Sequence, residues 1–184
     1  MRKDLGPKSL VYPEPVLIIA TYNDDGTVNA MNAAWGGISD TNEIMICLGE
    51  HRTTDNIKKR KFFTVSFADA EHVVGCDYVG LVSGNDVENK FEKAGFHASK
   101  ASLINAPIID ELPVALECEL ISYDEETGHL FASIKNVSID ESIMSDGQVD
   151  FSKYHPVIYE GLNHGYYKFG DKVADAFQIG KTIK

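Results

Sequence analysis

The sequence has little with which to staple a fold covalently or around a metal. Its 184 residues include three cysteines, Cys47, Cys76 and Cys118, far apart, in apolar surroundings and without a Cys-x-x-Cys pair. An odd, scattered set excludes a disulfide framework and predicts buried, reduced thiols. The six histidines show no metal-ligand spacing; His155 and His164 are separated by Pro156 and Gly161 rather than by one helical turn, so no protein-bound metal is expected. No apolar run reaches the roughly 18 residues that a spanning helix needs. The segment Met1 to Pro7 turns polar before a secretory stretch forms, which predicts a cytoplasmic protein without a membrane partner. Positive charge is also scarce: 17 Lys and Arg against 28 Asp and Glu give a formal net charge of −11. Such a field repels nucleic-acid backbones, so nucleic acid is not an expected partner, and any phosphate site must be locally basic.

Familiar catalytic and nucleotide motifs are missing as well. No G-x-G-x-x-G follows a strand, no Walker A lysine is present, and no serine sits in a G-x-S-x-G elbow. Glu117 and Glu119 alternate along one strand and are expected on its solvent face rather than as an acid–base pair. No side chain is assigned as a catalytic acid, base or nucleophile.

What is present reads mainly as β-structure. Val16 to Ala20 is a short branched apolar run that suits a buried strand, and Asn23-Asp24-Asp25-Gly26 is a hairpin signal before the returning strand Thr27 to Ala30. Ile44 to Leu48 and Phe62 to Ala68 read as further strands, flanking a short helix over 54–60 that Thr53 or Thr54 can cap. Residues 69–110 have helical character around His72 to Gly80 and Glu88 to Lys93, the latter ending at Gly95. A long antiparallel hairpin follows, Val114 to Tyr123 and His129 to Val137, joined by Glu125 to Gly128; Pro156 to Tyr159 and Tyr166 to Phe169 are strand candidates. Consecutive strands with a helical insertion fit an α+β barrel in one domain, residues 1–184, better than βαβ units.

Two segments carry candidate chemistry. Asn29-Ala30-Met31-Asn32-Ala33-Ala34-Trp35-Gly36-Gly37 has small side chains that admit a flat ligand to the main chain; the same residues also suit a barrel corner with a core tryptophan. His51 to Lys61 opens a helix, where free N–H groups and the macrodipole favour phosphate, and it meets the local-basicity condition. Arg52, Thr53 and Thr54 supply donors there, whereas Lys58 to Lys61 also read as a solvated helix face.

In this order, several pieces resemble the flavin reductase-like family of FMN-binding split barrels, in particular its flavoredoxin branch. They are Pro15 to Ile18, Asn29 to Trp35, His51 to Ile57, Val82-Ser83-Gly84 before Asn89-Lys90-Phe91, Leu112 to Cys118, and Tyr154 to Val157. The resemblance implies a closed antiparallel split β-barrel with flanking helices, paired as a homodimer, with FMN near the subunit interface. It implies that Met31, Asn32, Ala33, Ala34 and Trp35 border the isoalloxazine, that Arg52, Thr53, Thr54 and Asn56 hold the phosphate, and that Asn29 is among the cofactor-binding residues. Ser83, Gly84 and Lys90 would form a further wall, reaching the flavin across the dimer. The implied activity is an FMN-dependent oxidoreductase that carries electrons from NAD(P)H to a small-molecule or protein redox partner. The alternatives are a flavoredoxin that carries electrons between redox proteins, and a non-redox ligand-binding barrel. One departure stands out: Gly128-His129 lacks the intervening Asp of the family's NAD(P)H-linked members, and the strand ends Lys135-Asn136-Val137 rather than Gly-Glu-Val.

Overall fold

A computed structural model describes residues 1–183. The chain begins with β1 (Glu14–Pro15), β2 (Leu17–Tyr22) and β3 (Val28–Ala33), the last two joined at the expected hairpin. Gly26 takes φ +87° at the tip, a left-handed conformation that suits glycine there. β4 (Gly36–Asp40) and β5 (Glu43–Cys47) pair next, and α1 (Arg52–Arg60) leads into β6 (Phe62–Phe67). The helical section holds α2 (Val73–Leu81) and α3 (Lys90–Lys93), followed by the two short strands β7 (Ala98–Lys100) and β8 (Pro107–Ile109). β9 (Val114–Tyr123) and β10 (His129–Ile139) form the long hairpin; β11 (Met144–Ser145), β12 (Gln148–Val149), β13 (Val157–Glu160) and β14 (Gly165–Lys168) complete the strands.

Seven strands make one antiparallel sheet in the order β3-β2-β6-β9-β10-β5-β4. β3 and β4 lie at its two edges, yet only Ala34 and Trp35 separate them in the chain. Laid flat, seven strands put their edges about 29 Å apart. Three Cα–Cα steps span at most about 11 Å, so the sheet must curl until its edges nearly meet. The result is a curled half-barrel, consistent with a split barrel, in which the hydrogen-bonded ladder of this sheet does not join β3 to β4. β1, β13 and β14 form a separate three-stranded sheet alongside.

β2 is apolar from Leu17 to Ala20 because both its faces are covered there. Leu17 and Ile19 pack inside the curl with Ile44, Ile46, Ile57, Phe63, Val65 and Leu130. Val16, Ile18 and Ala20 pack outside it with Ala30, Cys76, Val79, Phe91 and Phe96, under α2 and α3. The two cores thus clamp β2 and fix the neighbouring β3 against α2, which sets one wall of the cleft described below.

Three expectations need correction. Glu117 is fully buried, not solvated: its carboxylate accepts from Ser102 Oγ (2.8 Å), Leu103 N–H (2.8 Å) and Asn136 Nδ2 (2.8 Å). Burial alone would raise its pKa, but these hydrogen bonds outweigh it and hold it below the usual value. Segment 101–106, with its own small apolar cluster, covers that outer face, which strand alternation could not announce. Cys76 and Cys118 are buried as expected, each thiol pushed up to about 12 chiefly by burial, whereas Cys47 is only half-buried. Finally, α1 starts at Arg52 and neither threonine caps it; the cap position is His51, which makes no side-chain capping bond. Among the described residues, no helix is long and apolar enough to cross a membrane.

Candidate functional site

The first turn of α1 sets one end of a cleft. Asp55 N–H donates to His51 O (3.0 Å) and begins the helical ladder, so the amides of Arg52, Thr53 and Thr54 precede any intrahelical acceptor. With no capping side chain at His51, these donors and the positive end of the helix are left for an anion. Arg52 Nη1 donates to Gly84 O, which ties the helix start to the loop after α2. Thr53 is buried, and its hydroxyl accepts from Asn29 Nδ2 at 2.7 Å, which fixes β3 to α1.

Lys90 approaches from α3. Only 5 % exposed, it donates to Val79 O (3.1 Å) and Val82 O (3.2 Å) at the C-terminal end of α2. An ammonium has three donors, so one remains beyond these two carbonyls. Burial, then the nearby Arg52 cation, lowers its pKa to about 8. Both pressures are relieved by an anion between the two cations.

These groups line a cavity of about 360 Å³ bounded by Asn29, Met31, Asn32, Arg52, Thr53 and the run from Val79 to Gly84, with Lys90 at its back. The cleft depends on two glycines. A Cβ on Gly84 would lie 2.3 Å from Asn29 Oδ1, and one on Gly80 would lie 2.2 Å from the Asn32 amide. A second cavity of about 430 Å³ meets the first at Asn32, Gly80 and Leu81 and continues along Ala33 and Ala34 to Tyr159 and Tyr166. A polar cavity of about 490 Å³ opens on the other side of Arg52 and carries Asp25, Asp86, Glu88 and Glu92 on its walls.

The structure therefore brings Asn29, Met31, Asn32, Arg52, Thr53, Ser83, Gly84 and Lys90 into one cavity, with Ala33 and Ala34 in its continuation. The other three expected residues lie elsewhere within this chain. Thr54 turns inward and donates to Gly49 O (2.8 Å), and Asn56 donates to Thr21 Oγ1 and Asn23 Oδ1, both at 3.0 Å. Trp35 is 58 % exposed and lines an apolar cavity of about 740 Å³ with Val11, Pro13, Met45, Cys47 and His129, which shares only Ala34 with the second cavity. Sequence reading missed the wall from Val79 to Leu81 and the Asp77, Tyr159, His164 and Tyr166 group. The helical spacing around Val79 was a signal for packing only, and nothing local ties β13–β14 to α2.

The donor set fits a flavin mononucleotide: cations and helix amides at one end, small residues and main chain along the middle, and an uncharged run at Ala33–Ala34. Known proteins share the fold. A flavoredoxin of Desulfovibrio vulgaris (Miyazaki F) is 35% identical over 98% of this chain and 100% of its own, with a TM-score of 0.92. A flavoredoxin from Methanosarcina acetivorans shares the fold at 24% identity, all of both chains covered, TM-score 0.88. So does an FMN-binding domain of a flavin reductases-like enzyme from Shewanella baltica, at 18% identity over 88% of this chain and 89% of its own, TM-score 0.80. The model of the flavin reductase like domain matches residues 9–159, and the chain belongs to that family.

Proposed function

We propose that this chain binds FMN in the cleft between β3, α1 and α2 and passes electrons through it. The observation that carries this reading is the convergence of Arg52, Lys90 and the uncapped start of α1 at one end of a cleft with a neutral far end. Arg52 and Lys90 bind the phosphate, with Thr53 holding Asn29 in place. Met31, Asn32, Ala33 and Ala34 border the ring, whose edge the main chain reads. The carboxylates beyond Arg52 repel a second phosphate, which favours FMN over a dinucleotide flavin. Bound FMN supplies one- and two-electron redox chemistry; the protein contributes orientation and electrostatic tuning.

The visible spectrum of the purified protein, with chromatography of the released flavin, tests this. A yellow protein releasing about one FMN per chain is expected; a colourless one that takes up no added FMN leaves only a barrel that binds something else. Full closure of the barrel, a homodimer and a cytoplasmic one-domain chain belong to the same proposal. The dimer is supported by the exposed edge of β4 and the apolar face around Trp35 and Ile38, and sedimentation equilibrium checks it.

Two electron sources fit. As an oxidoreductase the protein takes hydride from NAD(P)H; as a carrier it takes electrons from a redox protein. The position of His129 favours the carrier: it opens β10 in the cavity with Trp35 and Cys47, away from Arg52 and Met31. The acidic surface also suits a basic protein partner. Stopped-flow bleaching of bound FMN by NADH or NADPH, faster than for free FMN, would instead establish the oxidoreductase.

A further inference from the structure

At the far end of the cleft, Asp77, Tyr159, His164 and Tyr166 close around a cavity whose remaining walls are mostly apolar. Tyr159 and Tyr166 stand directly opposite each other in the β13–β14 hairpin, ring centroids 6.1 Å apart at 54°. Tyr166 Oη donates to Asp77 Oδ1 on α2 at 2.6 Å, which pins the hairpin over the helix and commits that phenolic proton. His164 takes φ +57°, an uncommon conformation for a side-chain-bearing residue. Its Nδ1 lies 2.5 Å from Tyr159 Oη, with the ring centroids 6.1 Å apart. With Nδ1 protonated, His164 donates to Tyr159 Oη and leaves the phenol's own O–H free for the cavity.

Val16, Asn32, Ala33, Ala34, Gly80 and Leu81 form the rest of the wall, and Asn32, Ala33 and Ala34 are among the residues that the proposed flavin ring borders. At about 430 Å³ the space suits a compound of one or two rings, and aromatic walls favour a planar one. Asp77 and the net charge of −11 disfavour an anion. A redox ligand here needs electrons from the ring side and a proton from the wall.

We propose that this cavity is the acceptor site, that it takes a neutral planar carbonyl compound of the quinone class, and that Tyr159 protonates it while His164 positions and reloads Tyr159. The proposal rests on the FMN reading above. The acceptor gains a hydride equivalent, two electrons and one proton, from reduced FMN. It gains a second proton from the Tyr159 O–H, so one quinone becomes one hydroquinone. His164 returns a proton to Tyr159 across the 2.5 Å contact and is recharged from solvent.

The test uses the FMN-loaded protein, photoreduced without oxygen and mixed in stopped flow with 1,4-naphthoquinone or with ferricyanide, which takes an electron and no proton. Tyr159→Phe and His164→Asn are expected to slow reoxidation by the quinone about 10²-fold, with ferricyanide rates and FMN affinity within about twofold of wild type. Tyr166→Phe, which keeps the ring, checks that loss of any one hydroxyl is not enough. Quinone rates unchanged in the Tyr159 and His164 variants, or quinone and ferricyanide rates falling together, would overturn the proposal. So would weakened FMN binding in those variants, which would make the cavity part of the cofactor's own cradle. Wild-type protein that takes up no FMN overturns the cofactor reading, and the acceptor site with it, before any variant is compared.

Discussion

The two ends of the cleft are built by different means. The end proposed for the phosphate is local: Arg52 and the free amides come from one helix start, and only Lys90 and the Gly84 carbonyl are brought to it. Its groups are held tightly, with Thr53 and Lys90 almost fully buried. The far end, proposed as the acceptor site, draws on Val16, on Ala33–Ala34, on α2 and on the β13–β14 hairpin, and much of it is exposed. Charge recognition needs few groups placed close together, so a short segment can hold it. A pocket wall for a neutral ligand needs area from several directions, so it waits on long-range pairing.

That contrast can be broken most severely at Gly84. Gly84→Ala places a Cβ 2.3 Å from Asn29 Oδ1 and 3.2 Å from Arg52 Cδ, so both anchors must shift. Loss of FMN during gel filtration is the expected outcome, with the circular dichroism of the sheet retained. Arg52→Ala removes a charged donor without moving the loop's backbone by force. Fluorescence titration should then show FMN binding weaker by about 10²-fold, in line with about 1.5–3 kcal/mol for a hydrogen bond to a charged group.

The pH dependence sharpens the comparison, because Lys90 gives the end proposed for the phosphate two opposite trends. Its folded pKa, about 8, lies below the ordinary lysine value of 10.5. Between these values the unfolded chain binds the extra proton, so the apoprotein gains stability as pH rises through the window and loses it on return toward pH 8. FMN phosphate prefers the ammonium, so affinity should fall about tenfold between pH 7 and pH 9 while the apoprotein's melting temperature rises. Affinity constant over that range, or a melting temperature that falls with it, would remove Lys90 from the phosphate site. The smallest effect is expected at Thr54. Thr54→Val should cost about 1 kcal/mol of stability in urea unfolding, through the lost bond to Gly49 O, and leave FMN affinity within about twofold.

Legibility in the sequence followed the same division. β2, β6 and the β9–β10 hairpin were readable because their patterns follow from burial on one or both faces. That a helix starts beside Arg52 and Thr53 was readable because a helix start is a local event. β4 was not, since Gly36 and Gly37 give no strand signal and its outer positions face solvent. Thr54 and Asn56 looked equivalent to Arg52 and Thr53; only their helical phase, which turns them toward Gly49 and toward β2, distinguishes them. Glu117 misled because alternation reports which way a side chain points and not what covers it. The Tyr159–Tyr166 wall was hidden because β13 pairs with β1, at the far end of the chain.

The two-residue link between β3 and β4 also bears on how the protein is made. β2, β3 and β6 are in hand once Phe67 leaves the ribosome, and can pair at once. β5, sent to the opposite side of the sheet beside the edge strand β4, finds β10 only about 80 residues later, a wait of roughly 4–16 s at ordinary rates of synthesis. Through that interval Ile44, Ile46 and Leu48 have no inner partner strand, beside an edge already tethered to a folded neighbour. On ribosomes stalled near residue 125, protease should therefore cut around β5 while sparing β2 and β6. The curl that forms the cleft thus makes β5 the segment most in need of a chaperone during translation.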